Sequence, residues 1–218
     1  MPIRSTPGSA SVTESQGGKL FAPSAARNLE PLCDLLEDIA PKTGQALEIA
    51  SGTGQHVVAY ARRLPGLVWQ PTEVDEMRRA SIDAHAAEAA LVNIRPAREL
   101  DATAPGWAHS VEAVDFIVLS NVAHLITEVD ARTLLREGTR ALKPLGKLCI
   151  YGPFMRAEEL TSEGDRTFHA SLIAHDPAIG YKDDFDTIDW IQNSGLDMAD
   201  VIEMPANNLA LVAQKPDF

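Results

Sequence analysis

The stretch from Ala46 to His56 constrains the fold more than any other part of the chain. It has the composition of a buried strand, a glycine turn and the first turn of a helix. Gly52 and Gly54 allow a tight turn that a ligand can approach closely. Glu48 is the exception within the apolar strand, because a carboxylate is costly to bury unless something pairs with it. The stretch therefore predicts a ligand site built from exposed backbone amides and a nearby carboxylate.

The order of strand and then helix repeats along most of the chain. Short strands that alternate with helices are typical of an α/β fold in which a parallel sheet carries helices on both faces. Ser24 is predicted as the N-cap of the first helix, which ends before Pro41. The predicted strands are 46–50, 67–70, 97–100, 113–119, 147–151, 196–204 and 209–214, and the predicted helices after the first are 57–64, 76–91, 130–142 and 184–194.

Two segments depart from this alternation. Residues 1–18 are rich in Ser, Gly, Thr and Pro, a composition typical of a disordered N-terminal tail, although an ordered lid stays open as the alternative. Residues 19–218 are predicted to form a single domain. Within it, 152–183 is predicted to be an insertion that covers the substrate, because long connections after the carboxyl end of a strand carry binding residues in such folds.

Composition excludes several kinds of partner. The net charge is −12, from 31 acidic and 19 basic residues, and this balance argues against nucleic acid, whose affinity comes largely from clustered Lys and Arg. A small-molecule substrate is expected instead. No apolar run is long enough for a membrane span, and residues 1–18 lack the apolar core of a signal peptide. Cys33 and Cys149 have no metal-ligand spacing. We therefore expect a cytoplasmic protein, and the sequence leaves a homodimer open.

Polar residues follow the ends of five successive predicted strands. Each one alone is explained by a turn or a helix cap, since Asp, Asn and Ser favour such positions. The carboxyl ends of parallel strands lie at one edge of the sheet, where ligands bind in open α/β folds. Together they predict a site, and the residues are Ser51, Gly52, Glu73, Asp75, Asp101, Asn121, His124 and Tyr151.

The residues from Leu47 to Gly54 resemble the glycine-rich first motif of class I S-adenosylmethionine-dependent methyltransferases, with Ala50 where a glycine is often found. The resemblance implies a Rossmann-like doubly wound seven-stranded sheet, mostly parallel with an antiparallel C-terminal strand, and S-adenosyl-L-methionine as the cofactor. This resemblance, the polar strand ends and the start of the first helix, which would fold over the cofactor, together give the candidate cofactor-binding residues. They are Arg27, Asn28, Glu48, Ser51, Gly52, Gly54, His56, Glu73, Asp75, Asp101, Ala102, Asn121 and Val122.

The individual roles follow from the same resemblance. Gly52 and Gly54 are expected beside the methionine part of the cofactor. Glu73 lies 19 positions after Gly54, which places a carboxylate at the end of the second strand, where it accepts both ribose hydroxyls. Asp75 is the competing candidate for the ribose. Asp101 is expected to accept from the exocyclic amine of adenine.

Nearly the whole chain from Phe21 onward looks like a narrower family, once catalogued as domain of unknown function 938 and now called methyltransferase-like 26. This family implies a fold and a cofactor but no substrate. Glu73 is a departure, because a Ser-Asp pairing is expected in relatives, yet the carboxylate is kept. The segments that carry this resemblance are 24–31, 48–56, 69–71, 151–154 and 204–209.

Two residues are candidates for catalysis. His124 has the side chain best suited to take up a proton near neutral pH. Tyr151 is expected to assist catalysis or to orient the substrate. A base is needed only if the nucleophile must lose a proton. Tyr151, Phe154, Asn207 and Asn208 are predicted to line the substrate pocket, and no metal site is expected.

Two other functions compete with methyl transfer. A nicotinamide-dependent oxidoreductase also uses a glycine turn and an acid after the second strand, but Val57 occupies the position of the third glycine of that fingerprint. A protein that keeps the cofactor pocket without catalysis, or that serves as a partner subunit, is the second alternative. The sequence favours a small-molecule methyltransferase over both.

Overall fold

The computed structural model describes residues 12–14 and 16–217, so most of the predicted tail, 1–11 and 15, lies outside the described residues. The strands are β1 (Thr13–Glu14), β2 (Leu20–Phe21), β3 (Gly44–Ile49), β4 (Leu67–Pro71), β5 (Val114–Ser120), β6 (Leu142–Pro153), β7 (Asp197–Met204) and β8 (Asn208–Gln214). The helices are α1 (Pro23–Ile39), α2 (Gln55–Arg63), α3 (Glu76–Ala89), α4 (Glu128–Ala141), α5 (Glu163–His175) and α6 (Asp184–Asn193).

One mixed sheet organises the domain. Its six strands lie in the order β4-β3-β5-β6-β8-β7. The neighbours from β4 to β6 are parallel, and β8 runs antiparallel to both β6 and β7. The predicted α/β class, with an antiparallel C-terminal strand in a mostly parallel sheet, agrees with this topology. The carboxyl ends of β3, β4, β5 and β6 therefore lie at one edge of the sheet.

The prediction of a seventh strand at 97–100 is wrong for the part of the chain that the structure describes. Only isolated bridges join this region to β4, at Ile94 and Arg98. Pro96 has no backbone N–H, and the N–H of Ala97 donates to Asp83 Oδ1 at 2.7 Å instead of to a strand. The segment follows the edge of β4 without a continuous ladder.

Both faces of the sheet are buried, as the alternation of strands and helices predicts. One layer of core residues, which includes Trp69 and Phe116, packs against α1, α2 and α3. The other, which includes Ile117 and Leu148, packs against α4 and α6. Adjacent residues Phe116 and Ile117 point to opposite layers, as the period of a strand requires.

The first described residues of the chain are hydrogen-bonded to the domain. Strand β1 pairs with β2, and the N–H of Leu20 donates to Ser81 Oγ of α3 at 2.8 Å. Helix α1 begins at Pro23, one residue before the predicted cap Ser24, and Ala22 occupies the N-cap position. The N–H of Ala22 donates to the Gln55 side chain at 2.6 Å. A proline at the first helical position is favourable, since it has no N–H to leave unpaired.

The predicted insertion contains α5 and two connecting segments. A bridge between Met155 and Asp183 brings its two ends together. A small apolar cluster centred on Leu172, Ile179 and Tyr181 packs α5 against the rest of the segment. Residues 152 and 153 extend β6 and are not part of a loop. Helix α5 is therefore held beside the sheet edge at which the site residues were predicted.

No helix within residues 12–14 and 16–217 is long and apolar enough to cross a membrane.

Candidate functional site

A cavity of about 650 Å³ opens at the carboxyl ends of β3, β4, β5 and β6. This volume falls within the roughly 300–1,000 Å³ usual for small-molecule pockets. It extends from the glycine turn after β3 to helix α5 and the start of β8. The predicted site residues that line it are Arg27, Asn28, Ser51, Gly52, His56, Glu73, Asn121, Val122, His124, Tyr151 and Asn208.

The turn after β3 presents backbone to this cavity. Gly52 has a positive φ of 59°, and a Cβ atom at this residue would meet nothing within 4 Å. Ala50 also has a positive φ, of 54°, at the position where the sequence has alanine in place of glycine. The N–H of Ser51 donates to the carbonyl of Thr72 at 2.8 Å and holds the turn against the end of β4.

Gly54 lies elsewhere, although it was predicted to approach the ligand. It is absent from the cavity lining among the described residues. A Cβ atom there would lie 2.7 Å from the backbone Cα of Ile82 in α3, and φ is 93°. Glycine is therefore required at 54 because the turn packs closely against α3, and not because a ligand needs the space.

Glu73 is a buried carboxylate that reaches the glycine turn. Its Oε2 accepts from the N–H of Gly52 at 3.0 Å, and its Oε1 accepts from the N–H of Val74 at 2.8 Å. Arg78 Nη1 lies 3.9 Å from Oε2. Asp75, its competitor, caps α3 by accepting from the N–H of Arg78, and it is not among the described residues that line the cavity. Glu73 therefore lines the cavity, whereas Asp75 caps a helix.

Glu48 is buried beneath the same turn. It is 2% exposed, and its Oε2 has no hydrogen-bond partner among the described residues. Burial raises the pKa of this carboxyl group to about 8, the nearby charge of Glu73 acts in the same direction, and a hydrogen bond with Ser51 opposes both. The side chain is therefore neutral at pH 7 in the unliganded protein, which resolves the cost of a carboxylate in this strand.

An amide links several polar side chains on the cavity wall. With its amide nitrogen toward His56, Asn28 donates to His56 Nε2 at 2.8 Å and accepts from Asn121 Nδ2 at 2.9 Å. Burial lowers the pKa of His56 to about 4, so that its ring is neutral and able to accept. Tyr151 accepts from Asn208 Nδ2 at 3.0 Å. Helix α1 and the ends of β5, β6 and β8 thus meet in one hydrogen-bonded wall.

His124 lies in a short 3₁₀ segment after β5, Ala123–Leu125. It is 5% exposed, and its Nδ1 has no hydrogen-bond partner among the described residues. Burial, together with the charge of Lys182, lowers the pKa of its imidazole to about 3. The ring is neutral at physiological pH and carries one unpartnered nitrogen at the cavity.

Four other predicted residues lie away from the cavity lining. Asp101 accepts from Thr103 and closes a local turn, and Ala102 belongs to the apolar core. Phe154, predicted to contact substrate, is 2% exposed within the same core. Asn207 lies outside the lining but donates to Asp165 Oδ2 at 3.3 Å. Ala102 and Phe154 are directed into the core, whereas Asp101 and Asn207 lie in turns and use their side chains in local or neighbouring hydrogen bonds.

Sequence reasoning missed three lining residues on the insertion: Asp165, Phe168 and Tyr181. The acidic and aromatic residues of this segment showed no period that separates an inward face from a solvated one. A signal was present in Thr161 and Ser162, since Thr or Ser three or four residues before an acid is typical of a helix N-terminus. That signal locates α5 but not the surface against which it packs.

No group of three or more His, Cys, Asp or Glu side chains that could hold a metal ion occurs in residues 12–14 and 16–217.

The chain shares its fold with methyltransferases of known structure. An O-methyltransferase family protein from Burkholderia thailandensis superposes with a TM-score of 0.76 at 17% identity, over 88% of this chain and 57% of that one. Human N-acetylserotonin methyltransferase, solved in complex with SAM, gives 0.73 at 13% identity, over 88% and 53%. An O-methyltransferase family 2 protein from Planctomyces limnophilus, in complex with apigenin, gives 0.71 at 18%, over 88% and 60%.

The chain spans between half and two thirds of the length of these three solved structures. Residues 19–215 match the model of a family described as "Protein of unknown function (DUF938)". The chain belongs to this family.

Proposed function

We propose that this protein is a methyltransferase that uses S-adenosyl-L-methionine and acts on a small-molecule acceptor by in-line methyl transfer. The observation that carries the proposal is that Gly52 and Glu73 line the same cavity and contact each other at its edge. At that edge, a ligand with hydroxyl groups can contact the backbone of the turn and donate to the Glu73 carboxylate. Structures with the same fold include proteins solved with SAM and with apigenin, which supports both the cofactor and the acceptor class.

The cofactor would lie between the glycine turn and the ends of β4 and β5. Glu73 would accept from the ribose hydroxyls chiefly through Oε2, which binds one amide and keeps accepting capacity, whereas Oε1 already accepts from the N–H groups of Val74 and Asp75. The unpartnered Oε2 of Glu48 lies beneath the turn and would act on the methionine part through amides or water. Asp101 and Ala102 remain the predicted adenine side, and Ser51, Asn121 and Val122 the predicted cofactor wall.

The acceptor would bind on the side of α5, which supplies cavity-lining residues outside the predicted cofactor set. S-adenosyl-L-methionine, when bound, would supply the methyl group and a neutral thioether as the leaving group, and the cavity residues would hold the nucleophilic atom of the acceptor in line with them. Most of the rate acceleration comes from positioning the two reactants. His124 is the predicted base, but burial and the charge of Lys182 lower the pKa of its imidazole so far that it is a poor proton acceptor at neutral pH. It would instead accept a hydrogen bond from an acceptor hydroxyl or thiol, and the proton would leave to solvent.

Tyr151 would orient the acceptor and would not take a proton from it. Burial raises the pKa of its phenol, although the hydrogen bond from Asn208 opposes the rise. The hydroxyl therefore keeps its proton at neutral pH and can donate to the acceptor. Asn208 would help to fix its direction.

The alternative is a module that binds the cofactor without catalysis, or a partner subunit. The two functions share the cavity, so a screen for methyl transfer over metabolite pools separates them. A nicotinamide-dependent oxidoreductase is the weaker alternative, since Val57 is buried in α2 where its fingerprint needs glycine. The resemblance to methyltransferase-like 26, a cytoplasmic location and a homodimer remain predictions.

The cofactor proposal is tested by calorimetric titration with S-adenosylmethionine and with NAD. We expect binding of the first only, and Glu73→Ala should weaken it by about 1–3 kcal/mol because charged hydrogen bonds are lost. Asp75→Ala is the matched control: it removes a helix cap and should lower stability by about 1 kcal/mol without a comparable loss of affinity.

If Asp75→Ala greatly weakens binding of S-adenosylmethionine and Glu73→Ala does not, the ribose would be assigned to Asp75. Binding of NAD without binding of S-adenosylmethionine would overturn the proposed function.

A further inference from the structure

Asp165, on the first turn of α5, is a charged group with an uncommon environment. It lines the cavity and is 9% exposed. Thr161 and Ser162 hydroxyls donate to its Oδ2 at 3.0 and 2.7 Å, and the Tyr181 hydroxyl donates to Oδ1 at 3.1 Å. Burial alone would raise the pKa of this carboxyl group, but these hydrogen bonds, with one from Asn207, outweigh burial and lower it. Asp165 is therefore ionised at neutral pH.

Within the part of the chain that the structure describes, the negative charge of Asp165 has no cationic partner. Among the described residues, no Lys, Arg or His side chain lies within ion-pair distance of it, although surface carboxylates on the same helix are paired, as Glu163 is with Arg166. Four neutral donors and the start of α5 stabilise the charge without cancelling it. Oδ2 accepts three side-chain bonds, whereas Oδ1 accepts one and keeps a free lone pair.

Three aromatic rings line the same cavity as this carboxylate, and one of them, Tyr181, contacts it. The rings of Phe168 and Tyr181 lie 6.0 Å apart, edge to face, and His124 contacts both at 5.6 and 6.0 Å. All three rings line the cavity. The unpartnered Nδ1 of the buried His124 is a second, independent indication that a ligand completes this wall, since buried polar atoms are rarely left unpaired.

We propose that the end of the cavity formed by Asp165, Phe168, Tyr181 and His124, the Asp165 pocket, binds a cationic amine on an aromatic or heteroaromatic acceptor substrate. The ammonium group donates to Asp165 Oδ1 in a charge-assisted hydrogen bond. The rings of Phe168 and Tyr181 attract the same cation and pack against the apolar body of the acceptor. This inference rests on the proposed methyltransferase function and names the class of its substrate.

The assignment also restricts which atom is methylated. A nitrogen held as ammonium by Asp165 has no lone pair with which to attack a methyl group. The amine is therefore a recognition group, and the nucleophile is another atom of the same molecule, beside His124. An aromatic hydroxyl in a compound that also carries an amine satisfies both requirements.

The test uses matched probes that differ only in the cationic group: tyramine against tyrosol, and tryptamine against tryptophol. Each is titrated into the full-length protein saturated with S-adenosylhomocysteine. We expect each amine to bind at least 10-fold more tightly than its alcohol. Asp165→Asn should remove this preference, while Glu163→Gln, a carboxylate on the same helix but outside the cavity, should keep it.

Titration of Asp165→Asn with S-adenosylhomocysteine alone guards against a folding defect, because a misfolded variant would lose that binding as well. The variant should keep the wild-type affinity for S-adenosylhomocysteine and lose only the amine preference. Equal affinity for amine and alcohol in the wild type, a preference for the alcohols, or no binding of any probe at millimolar concentration would overturn the inference. If S-adenosylhomocysteine itself does not bind, the proposed function fails first, so the two failures are distinguishable.

Discussion

At the scale of single residues, two buried carboxylates are stabilised in opposite ways. Asp165 keeps its charge because four hydroxyl and amide groups donate to it. Glu48 has an oxygen without a partner and holds its proton instead, since burial raises the pKa to about 8. Desolvation penalises a charge unless enough donors replace water. Glu48 therefore titrates within the pH range of ordinary assays.

This difference predicts how stability depends on pH. Between the ordinary glutamate pKa of 4.5 and about 8, the unfolded chain releases the Glu48 proton and the folded chain keeps it. The wild type should therefore lose stability as pH rises through this window. Glu48→Gln removes the titrating group, so its stability relative to the wild type should increase from pH 5 to pH 8 by at least about 1 kcal/mol. Urea unfolding at several pH values measures this.

Glu203→Gln, which changes an exposed side chain on β7, is the control and should keep the pH profile of the wild type. A constant difference between Glu48→Gln and the wild type from pH 5 to pH 8 would mean that Glu48 is ionised in the folded protein.

At the scale of secondary-structure elements, Glu137 joins α4 to the 3₁₀ segment Trp107–Ser110. The side chain is 1% exposed. Its Oε2 accepts from the N–H of Ala108 at 3.2 Å, and Arg140 contacts Oε1 at 2.6 Å. Burial opposes ionisation, but the bonds from Ala108, Gly106 and Arg140 outweigh it, so the pKa of Glu137 is lowered. One carboxylate therefore fixes a loop onto a helix.

Glu137→Gln should lower the free energy of unfolding by about 1–3 kcal/mol at pH 7, because charge-assisted bonds are lost in a buried position. The wild-type advantage is present above the ordinary glutamate pKa of 4.5. It should disappear as pH falls below that value and through the lowered folded pKa, because the folded carboxylate is then protonated. Chemical denaturation at pH 3 to 7 follows this difference.

Glu128→Gln on the same helix is the control. Its ion pair with Arg132 is exposed, so its loss should cost well under 1 kcal/mol. Equal effects of the two substitutions at pH 7 would contradict the proposed link between α4 and the 3₁₀ segment.

The accuracy of prediction from sequence also differs by element. Most helices and strands follow from periodicity and from Gly and Pro signals, and both buried layers are confirmed. The strand at 97–100 failed because only Arg98 bonds to the edge of β4, while the N–H of Ala97 donates to the Asp83 side chain. Gly54 shows the same limit at a turn. Glycine is needed there because a Cβ atom would clash with Ile82, which belongs to α3. Contacts between elements decide both cases, and local sequence does not contain them.

For the whole molecule, the cavity links helix α1, the strand ends and α5, so ligand binding should stabilise the entire domain. At a concentration of S-adenosylhomocysteine 100-fold above its Kd, the expected gain is about 2.7 kcal/mol. For a domain of this size that corresponds to a rise in Tm of roughly 5–10 °C. A thermal scan with and without the ligand measures it, with NAD at the same concentration as the control.

A Tm that rises with NAD and not with S-adenosylhomocysteine would contradict the cofactor assignment. If the rise in Tm with S-adenosylhomocysteine is unchanged in Glu73→Ala, the cofactor assignment stands, but Glu73 does not have the role proposed for it.

The whole cavity was only partly predictable from sequence. The edge formed by β3, β4 and β5 follows from chain order, because parallel strands bring their ends together, and Ser51, Gly52, Glu73 and Asn121 all line the cavity. The opposite wall depends on how α5 packs, which brings in Asp165. That packing is a tertiary property without a motif of its own.

The two outer strands of the sheet also bear on how the protein behaves in concentrated solution. Strand β4 is partly covered along its outer edge, where Trp69 exchanges backbone hydrogen bonds with Asn93 and Arg95. At the other end of the described sheet, β7 carries exposed acidic residues at Asp197, Asp200 and Glu203. Bare strand edges promote aggregation, and charged side chains or covering segments oppose it. This sheet is protected from edge-to-edge association by backbone on one side and by charge on the other.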